Sequence, residues 1–290
     1  MGKLSEKSQP WRGLLLNLAL TVALVFFLFP IIWIFLMSFR LPEDILTWPP
    51  KFISTFTLNN YQALIFQSGG SSGTHGAIQV EFLAALGHSL IINFGALAVS
   101  LILGIPAAYA LARYKFKGQD NIAFTLLSFR FAPAIMVIIP LFVIFQKLQL
   151  YDTYPGLIWA YQLITLPMIV WLVRGYIEDV SPEIEQACRV DGYPGWRVFF
   201  KVTLPLARPG IIAASILAFI YGWNNFIFGM ILGSSKQPVT VMILKLITPG
   251  AVYYGQVAGG AILAVLPTII LALYANRYIV RGLTMGAVKK

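Results

Sequence analysis

The sequence predicts an all-α membrane protein with six transmembrane helices, on three observations. The 290-residue chain is 58% hydrophobic and 11% charged, far from the roughly 25% charge of an ordinary soluble domain. Its apolar residues are gathered into long runs that carry almost no charge. Its basic residues flank those runs unevenly. A bilayer accounts for all three, because it removes the need to hide apolar surface from water.

A crossing helix takes about 20 mostly apolar residues. Such runs lie at about 13–39, 82–112, 121–146, 153–174, 209–235 and 246–276. Only 121–146 is interrupted, by Arg130. Helices are required because a chain in lipid must satisfy its backbone hydrogen bonds internally. A β-barrel would show short alternating segments instead. The six runs make a single transmembrane domain over 1–290, with a long loop at 40–81 and another at 175–208. The first run follows Lys3, Lys7 and Arg12, as a signal peptide would. Its length, and the Ser38-Phe39-Arg40-Leu41-Pro42 that follows it, indicate a retained helix.

Orientation follows from the Lys and Arg residues. With the N-terminus in the cytoplasm, fifteen of them fall inside and five outside, the five being Arg40, Lys51, Lys147, Lys236 and Lys245. Both termini are then cytoplasmic, 40–81 is external and 175–208 is cytoplasmic. The net charge of +10 is a topology signal and implies no nucleic-acid partner. The single Cys188 can form no internal disulfide. His75 and His88 lack the spacing of metal ligands. No Gly-rich phosphate loop is present, and no Ser/His/Asp grouping or carboxylate pair lies in the runs. No catalytic residue, no metal site and no cofactor bound by this chain are expected.

Three other features have competing explanations. The tract Gln67–Gly76, rich in Gly and Ser, reads as a solvated loop tip or a contact for an external partner. Arg130 should face protein or water, since a central Arg costs roughly 2.5–3.5 kcal/mol to insert. The pairs Gly229/Gly233 and Gly255/Gly259 fit close helix packing.

The loop 175–208 is the most polar long passage. Ser181-Pro182 is a helix start, a side-chain acceptor followed by a residue with no N–H to waste. Glu183 and Glu185 suit the positive end of the helix dipole. Glu185 and Arg189 are spaced for an i,i+4 pair. Gly192 and Pro194 end the helix. A short helix over 182–190 is predicted, with Ile184, Ala187 and Cys188 on one side. A second helical stretch should run from about Trp196 to Leu204-Pro205, where the chain turns toward the fifth span. The short helix either docks into a groove on another protein or lies on lipid headgroups.

The spacing then adds a family resemblance. Gln186-Ala187-Cys188, three residues, Gly192, nine residues and Val202-x-Leu204-Pro205 resembles the E-A-A-x(3)-G-x(9)-I-x-L-P loop of binding-protein-dependent ABC importer permeases. "FPIIWIFLMSFR" (29–40), "FTLNNYQAL" (56–64), "PAAYALARYKFKG" (106–118), "IPLFVIFQKLQLYDTYPGLI" (139–158) and "WNNFIFGMIL" (223–232) look like the carbohydrate type, the maltose-transporter branch. The resemblance implies a type I ABC importer transmembrane domain in a bacterial cytoplasmic (inner) membrane. The implied partners are two cytoplasmic ATPase subunits holding ATP and Mg, a second related permease and an extracytoplasmic solute-binding protein. It also implies that 182–190 is the coupling helix, with Glu183, Glu185, Gln186, Ala187, Cys188, Arg189, Asp191 and Gly192 facing the ATPase. Gln186 replaces the motif's Glu and Cys188 its second Ala, and Glu185 could supply the lost charge.

Polar and aromatic residues inside apolar spans are candidates for a substrate path. Trp223, Asn224 and Asn225 form the clearest cluster, and Asn93, Tyr161 and Gln162 are further candidates. Stacking and amide hydrogen bonds suit a sugar, while interhelical hydrogen bonding explains the same residue types without a substrate. The expectation is therefore a sugar importer's permease working by alternating access. The alternatives are the same fold carrying a polyamine or an amino acid, and an ion-driven secondary transporter.

Overall fold

The structure, a computed structural model, describes residues 10–49, 51, 54–66, 81–131, 133–248 and 252–286. Of the helical residues, the side chains of 10, 12, 130 and 275–286 lie outside the description. So does the whole Gly/Ser tract 67–76. In chain order the helices are α1 (Pro10–Ser38), α2 (Pro42–Ile45), α3 (Asn59–Phe66), α4 (Phe82–Arg113), α5 (Gln119–Ser128), α6 (Ala134–Lys147) and α7 (Tyr154–Glu178). They continue with α8 (Pro182–Val190), α9 (Gly195–Val198), α10 (Leu204–Trp223), α11 (Ile227–Leu232), α12 (Val239–Leu244) and α13 (Tyr254–Gly286). Among the described residues the only β-type pairing is an isolated bridge, Ile247 to Val252.

Five helical stretches are long and apolar enough to cross a membrane: Gly13–Ser38, Phe82–Arg113, Tyr154–Glu178, Gly195–Trp223 and Tyr254–Tyr274. The remaining apolar run, 121–146, is not one continuous helix as expected. It consists of α5, a 3-10 turn at Phe129–Phe131 and the shorter apolar helix α6. The cause is Pro133, which sits at an extended ψ of 120°. A proline lacks an N–H and crowds the preceding turn, which favours a break at this position, and the helix restarts at Ala134. Arg130 falls in the 3-10 turn.

The fifth helix differs in the opposite sense. It begins at Gly195, well before the expected 209, and it does not turn at Leu204-Pro205. A π-helical stretch at Phe199–Thr203 joins α9 to α10 without a break. Widening the ladder just ahead of Pro205 accommodates the missing N–H. The helix then ends at Trp223, inside the run expected to continue to 235.

The chain divides into two compact units, residues 1–80 with 246–262 and residues 81–245 with 263–290. In the first, Asn60 donates to the carbonyls of Ser38 and Arg40, each at 2.9 Å. The Ser38 hydroxyl lies 2.8 Å from that of Tyr61. These bonds tie the end of α1 to α3. Gly255 faces Asn60 and Gly259 faces Leu64 and Tyr61. Along its length α1 exposes large apolar side chains, Phe26 at 73% and Leu14 at 70% among them. Such a helix requires a non-aqueous surrounding.

In the second unit α7 packs against α4 and α10. One core cluster gathers Ile92, Ala96, Leu157, Tyr161 and Phe228, and another Tyr109, Ile169, Val173, Ile177 and Ala214. Close approach depends on small residues, as helix pairs in lipid require. A Cβ on Gly210 would land on the ring of Tyr176. Several buried polar groups are bonded between helices. The Ser100 hydroxyl donates to Gln162 Oε1 at 2.6 Å and lies 2.6 Å from Thr165 Oγ1. Gln162 Nε2 donates to the Ala96 carbonyl at 3.0 Å.

One end of this unit is closed by Asp152, at a φ of +56° in the α6–α7 turn. Its carboxylate accepts the backbone N–H groups of Ser234, Ser235 and Lys236 at 2.8, 2.9 and 3.2 Å, and the Ser235 hydroxyl at 2.7 Å. Its own N–H donates to the Leu232 carbonyl at 3.0 Å. Burial pushes the carboxyl pKa up, but the hydrogen bonds outweigh it and hold the group below its ordinary value. A lowered folded-state pKa stabilises above the unfolded value, and the contribution disappears as pH falls through the folded one. Asp152→Asn should therefore cost about 1–2 kcal/mol at neutral pH, after allowing for its partial exposure. Thermal unfolding of the purified protein should show that gap narrowing below the carboxylate range. A gap independent of pH would contradict the charged clasp.

Candidate functional site

Local signals shape α8 closely. The Ser181 hydroxyl accepts the Glu183 N–H at 3.3 Å, and Pro182 occupies the first turn. At the other end Gly192 has a φ of +85°. The Gly192 N–H donates to the Arg189 carbonyl and the Tyr193 N–H to the Cys188 carbonyl, each at 3.0 Å. This pair of bonds is a Schellman motif, which satisfies the last carbonyls and needs a left-handed residue at the glycine. A cation–π contact follows, with the Arg197 guanidinium 5.5 Å from the Trp196 ring centre and 5.7 Å from that of Tyr193.

The rotation of α8 is set by an acid rather than by an apolar stripe. Glu183, Ile184, Gln186, Ala187, Arg189 and Val190 are exposed, as are Asp191 and Gly192. Glu185 is 3% exposed and is the only buried residue of the helix. Its carboxylate accepts from Arg113 Nε at 2.8 Å, Tyr109 Oη at 3.1 Å and Thr203 Oγ1 at 2.9 Å. Two expectations are corrected here. Glu185 pairs with Arg113 on α4 rather than one turn on with Arg189, and it points inward rather than offering a charge outside. Cys188 is half-buried, which makes it less open than Ile184 and Ala187 on the side that the helical spacing gives all three. A carboxylate that finds a guanidinium and two hydroxyls inside the fold outweighs the burial of one isoleucine.

The second candidate site is the break after α10. Asn224 is exposed, with its Nδ2 donating to the Ile220 carbonyl at 2.9 Å. Asn225 caps α11, its Oδ1 accepting the Phe228 N–H at 3.2 Å. The Asn225 carbonyl accepts the Tyr161 hydroxyl at 3.0 Å, which satisfies a backbone group that the break would strand. Tyr161 is fully buried. Trp223 is buried, stacks on Phe219 and donates Nε1–H to the Ala264 carbonyl at 2.9 Å. Asn93 donates to the Ser89 carbonyl at 2.9 Å, and its buried Oδ1 has no hydrogen-bond partner among the described residues.

The six residues proposed to line a path therefore separate. Trp223, Tyr161, Gln162 and Asn93 are buried between helices of their own unit. Asn225 holds the break, and Asn224 alone is exposed. It continues a stripe on α10 with Leu217 and Tyr221, at helical spacings of four and three. Sequence reading missed Arg113, Tyr109, Thr203 and Asp152. Their partners lie 18 to 84 positions away, beyond the reach of any periodicity.

The comparisons with known proteins agree with this architecture. Over 273 residues the chain is 32% identical to the trehalose transport system permease protein SugB of Mycobacterium tuberculosis, covering 93% of this chain and 95% of that one. It is 30% identical over 300 residues to the maltose/maltodextrin transport system permease protein MalG of Vibrio parahaemolyticus, covering both chains completely. Among solved structures, a chain of a bacterial ABC transporter involved in import of the acidic polysaccharide alginate superposes with a TM-score of 0.75. That match has 20% identity and covers 96% of this chain and 99% of that one, so it shows the fold. Residues 100–284 match the family described as binding-protein-dependent transport system inner membrane component, and the chain belongs to that family.

Proposed function

We propose that this chain is the permease subunit of an ATP-driven importer for a sugar or sugar-like solute. An extracytoplasmic binding protein delivers the solute, and two cytoplasmic ATPase subunits, which hold ATP and Mg, drive the cycle. A second, related permease completes the pathway. The observation that carries this reading is α8: a short helix, exposed on one face and anchored on the other, in the position of the family's loop motif. The fifteen-to-five distribution of basic residues supports a cytoplasmic location for it, with both termini on the same side. The names of the relatives, trehalose and maltose/maltodextrin permeases among them, support a sugar as cargo.

Mechanically, Glu183, Gln186, Ala187, Arg189, Asp191 and Gly192 offer the ATPase its docking face. Gln186 supplies a neutral hydrogen-bonding group where the motif has an acid, and the charge of Glu185 is spent inside the fold. The path runs along the Leu217–Tyr221–Asn224 stripe, where an aromatic ring and an amide suit stacking and hydrogen bonding to a sugar. The buried residues behind the stripe hold the helix break in place.

The test is reconstitution of the complete complex in proteoliposomes with labelled trehalose, maltose, a polyamine and an amino acid offered separately. Uptake of a sugar that requires both ATP and the binding protein is expected. Uptake of the polyamine or amino acid instead, or uptake driven by an ion gradient without ATP, would overturn the reading. Within that assay Gly192→Val should assemble but transport poorly. No atom crowds the site, so the penalty is the left-handed φ itself, about 1–2 kcal/mol. Asn224→Leu should change the KM for the sugar while the complex still forms. Unchanged kinetics would remove Asn224 from the path.

A further inference from the structure

The Glu185 carboxylate joins more of the second unit than any packing contact of α8 does. Arg113 is the last residue of α4, and besides bonding Glu185 its Nη2 donates to the carbonyls of Ile177 at 2.8 Å and Val180 at 2.7 Å. Those carbonyls lie at the C-terminal end of α7, where a cation also complements the helix dipole. Tyr109 stands one turn earlier on α4, and Thr203 closes the π-helical stretch that leads into α10. One carboxylate and one guanidinium therefore bind α4, the end of α7, α8 and the entry to α10. Both side chains of the pair are shielded, at 9% and 4% exposure.

A helix whose only buried residue is an acid is not held by apolar packing. Apolar surfaces can slide across one another, whereas a forked guanidinium bonded to three acceptors fixes both distance and direction. We propose that Arg113 and Glu185 form the joint through which displacement of α8 is passed to α4, α7 and α10. They are thus positioning residues for the transport cycle. The inference rests on the transporter reading above. It assigns the inward face of α8 a role distinct from the docking role of its exposed face. Tyr109 and Thr203 hold the carboxylate in register for that joint.

The experiment measures solute transported per ATP hydrolysed, in proteoliposomes containing the complete complex. Arg113→Lys keeps the charge but cannot reach Glu185 and both carbonyls together. Glu185→Gln keeps the shape and removes the charge. For each, ATP hydrolysis should continue while transport per ATP falls about tenfold, within the usual range of coupling between sites. Tyr109→Phe and Thr203→Val each delete one hydrogen bond without stranding a charge. Combined, they should lower the same ratio less steeply, and they serve if the charge variants fail to assemble. A wild-type ratio in the assembled variants, with uptake and hydrolysis falling in parallel, would overturn the joint, as would a wild-type ratio in the Tyr109/Thr203 double variant. Absence of ATP-dependent uptake by the unaltered complex would refute the functional reading instead.

Discussion

Every helix of this chain that enters lipid must account for its own backbone hydrogen bonds, and the points where it does not continue regularly are where the structure is most specific. Three such points stand out among the described residues of the second unit. Before Pro133 the ladder tightens into a 3-10 turn and restarts. Before Pro205 it widens into a π-helical stretch and continues. At Asn224-Asn225 it stops, and the stranded carbonyl is taken up by the Tyr161 hydroxyl while the Asn225 side chain caps the next helix.

The same unit is closed at its two ends by carboxylates with different environments. Asp152 sits in a turn, partly open to solvent, and gathers backbone N–H groups from the loop after α11. Glu185 sits out of solvent and gathers three side chains from two other segments, α4 and the π-helical stretch before α10. The first arrangement pins a loop to a loop. The second pins helices to one another, and with Arg113 it makes α8 part of the bundle while leaving its other face open. Removing one member of a shielded ion pair is costly because the partner charge is left uncompensated.

Local chemistry made much of this readable in advance. Ser181-Pro182 and Gly192 mark the ends of α8 because capping and left-handed backbone need particular residue types within a few positions. The long apolar runs are visible because a bilayer demands length. What the sequence could not show was direction and interruption. The spacing puts Ile184, Ala187 and Cys188 on one side without saying what anchors the helix, and Glu185 turns inward because Arg113, Tyr109 and Thr203 wait for it from distant segments. Leu204-Pro205 reads as a turn toward the fifth span, yet the π-helical stretch carries the helix through it. Trp223-Asn224-Asn225 advertises polar groups in lipid, but contains no Gly or Pro to announce that the helix ends there.

If the exposed face of α8 seats in a cytoplasmic ATPase, a single cysteine placed on that face reports it. In Ala187→Cys with Cys188→Ser, an impermeant maleimide should leave intact cells unlabelled and react in inverted vesicles stripped of the ATPase. Adding the ATPase back should slow the reaction at position 187 about tenfold or more, as expected when a coupled partner covers the site. Labelling from outside intact cells would overturn the cytoplasmic location of α8, and labelling indifferent to the ATPase would overturn its docking role.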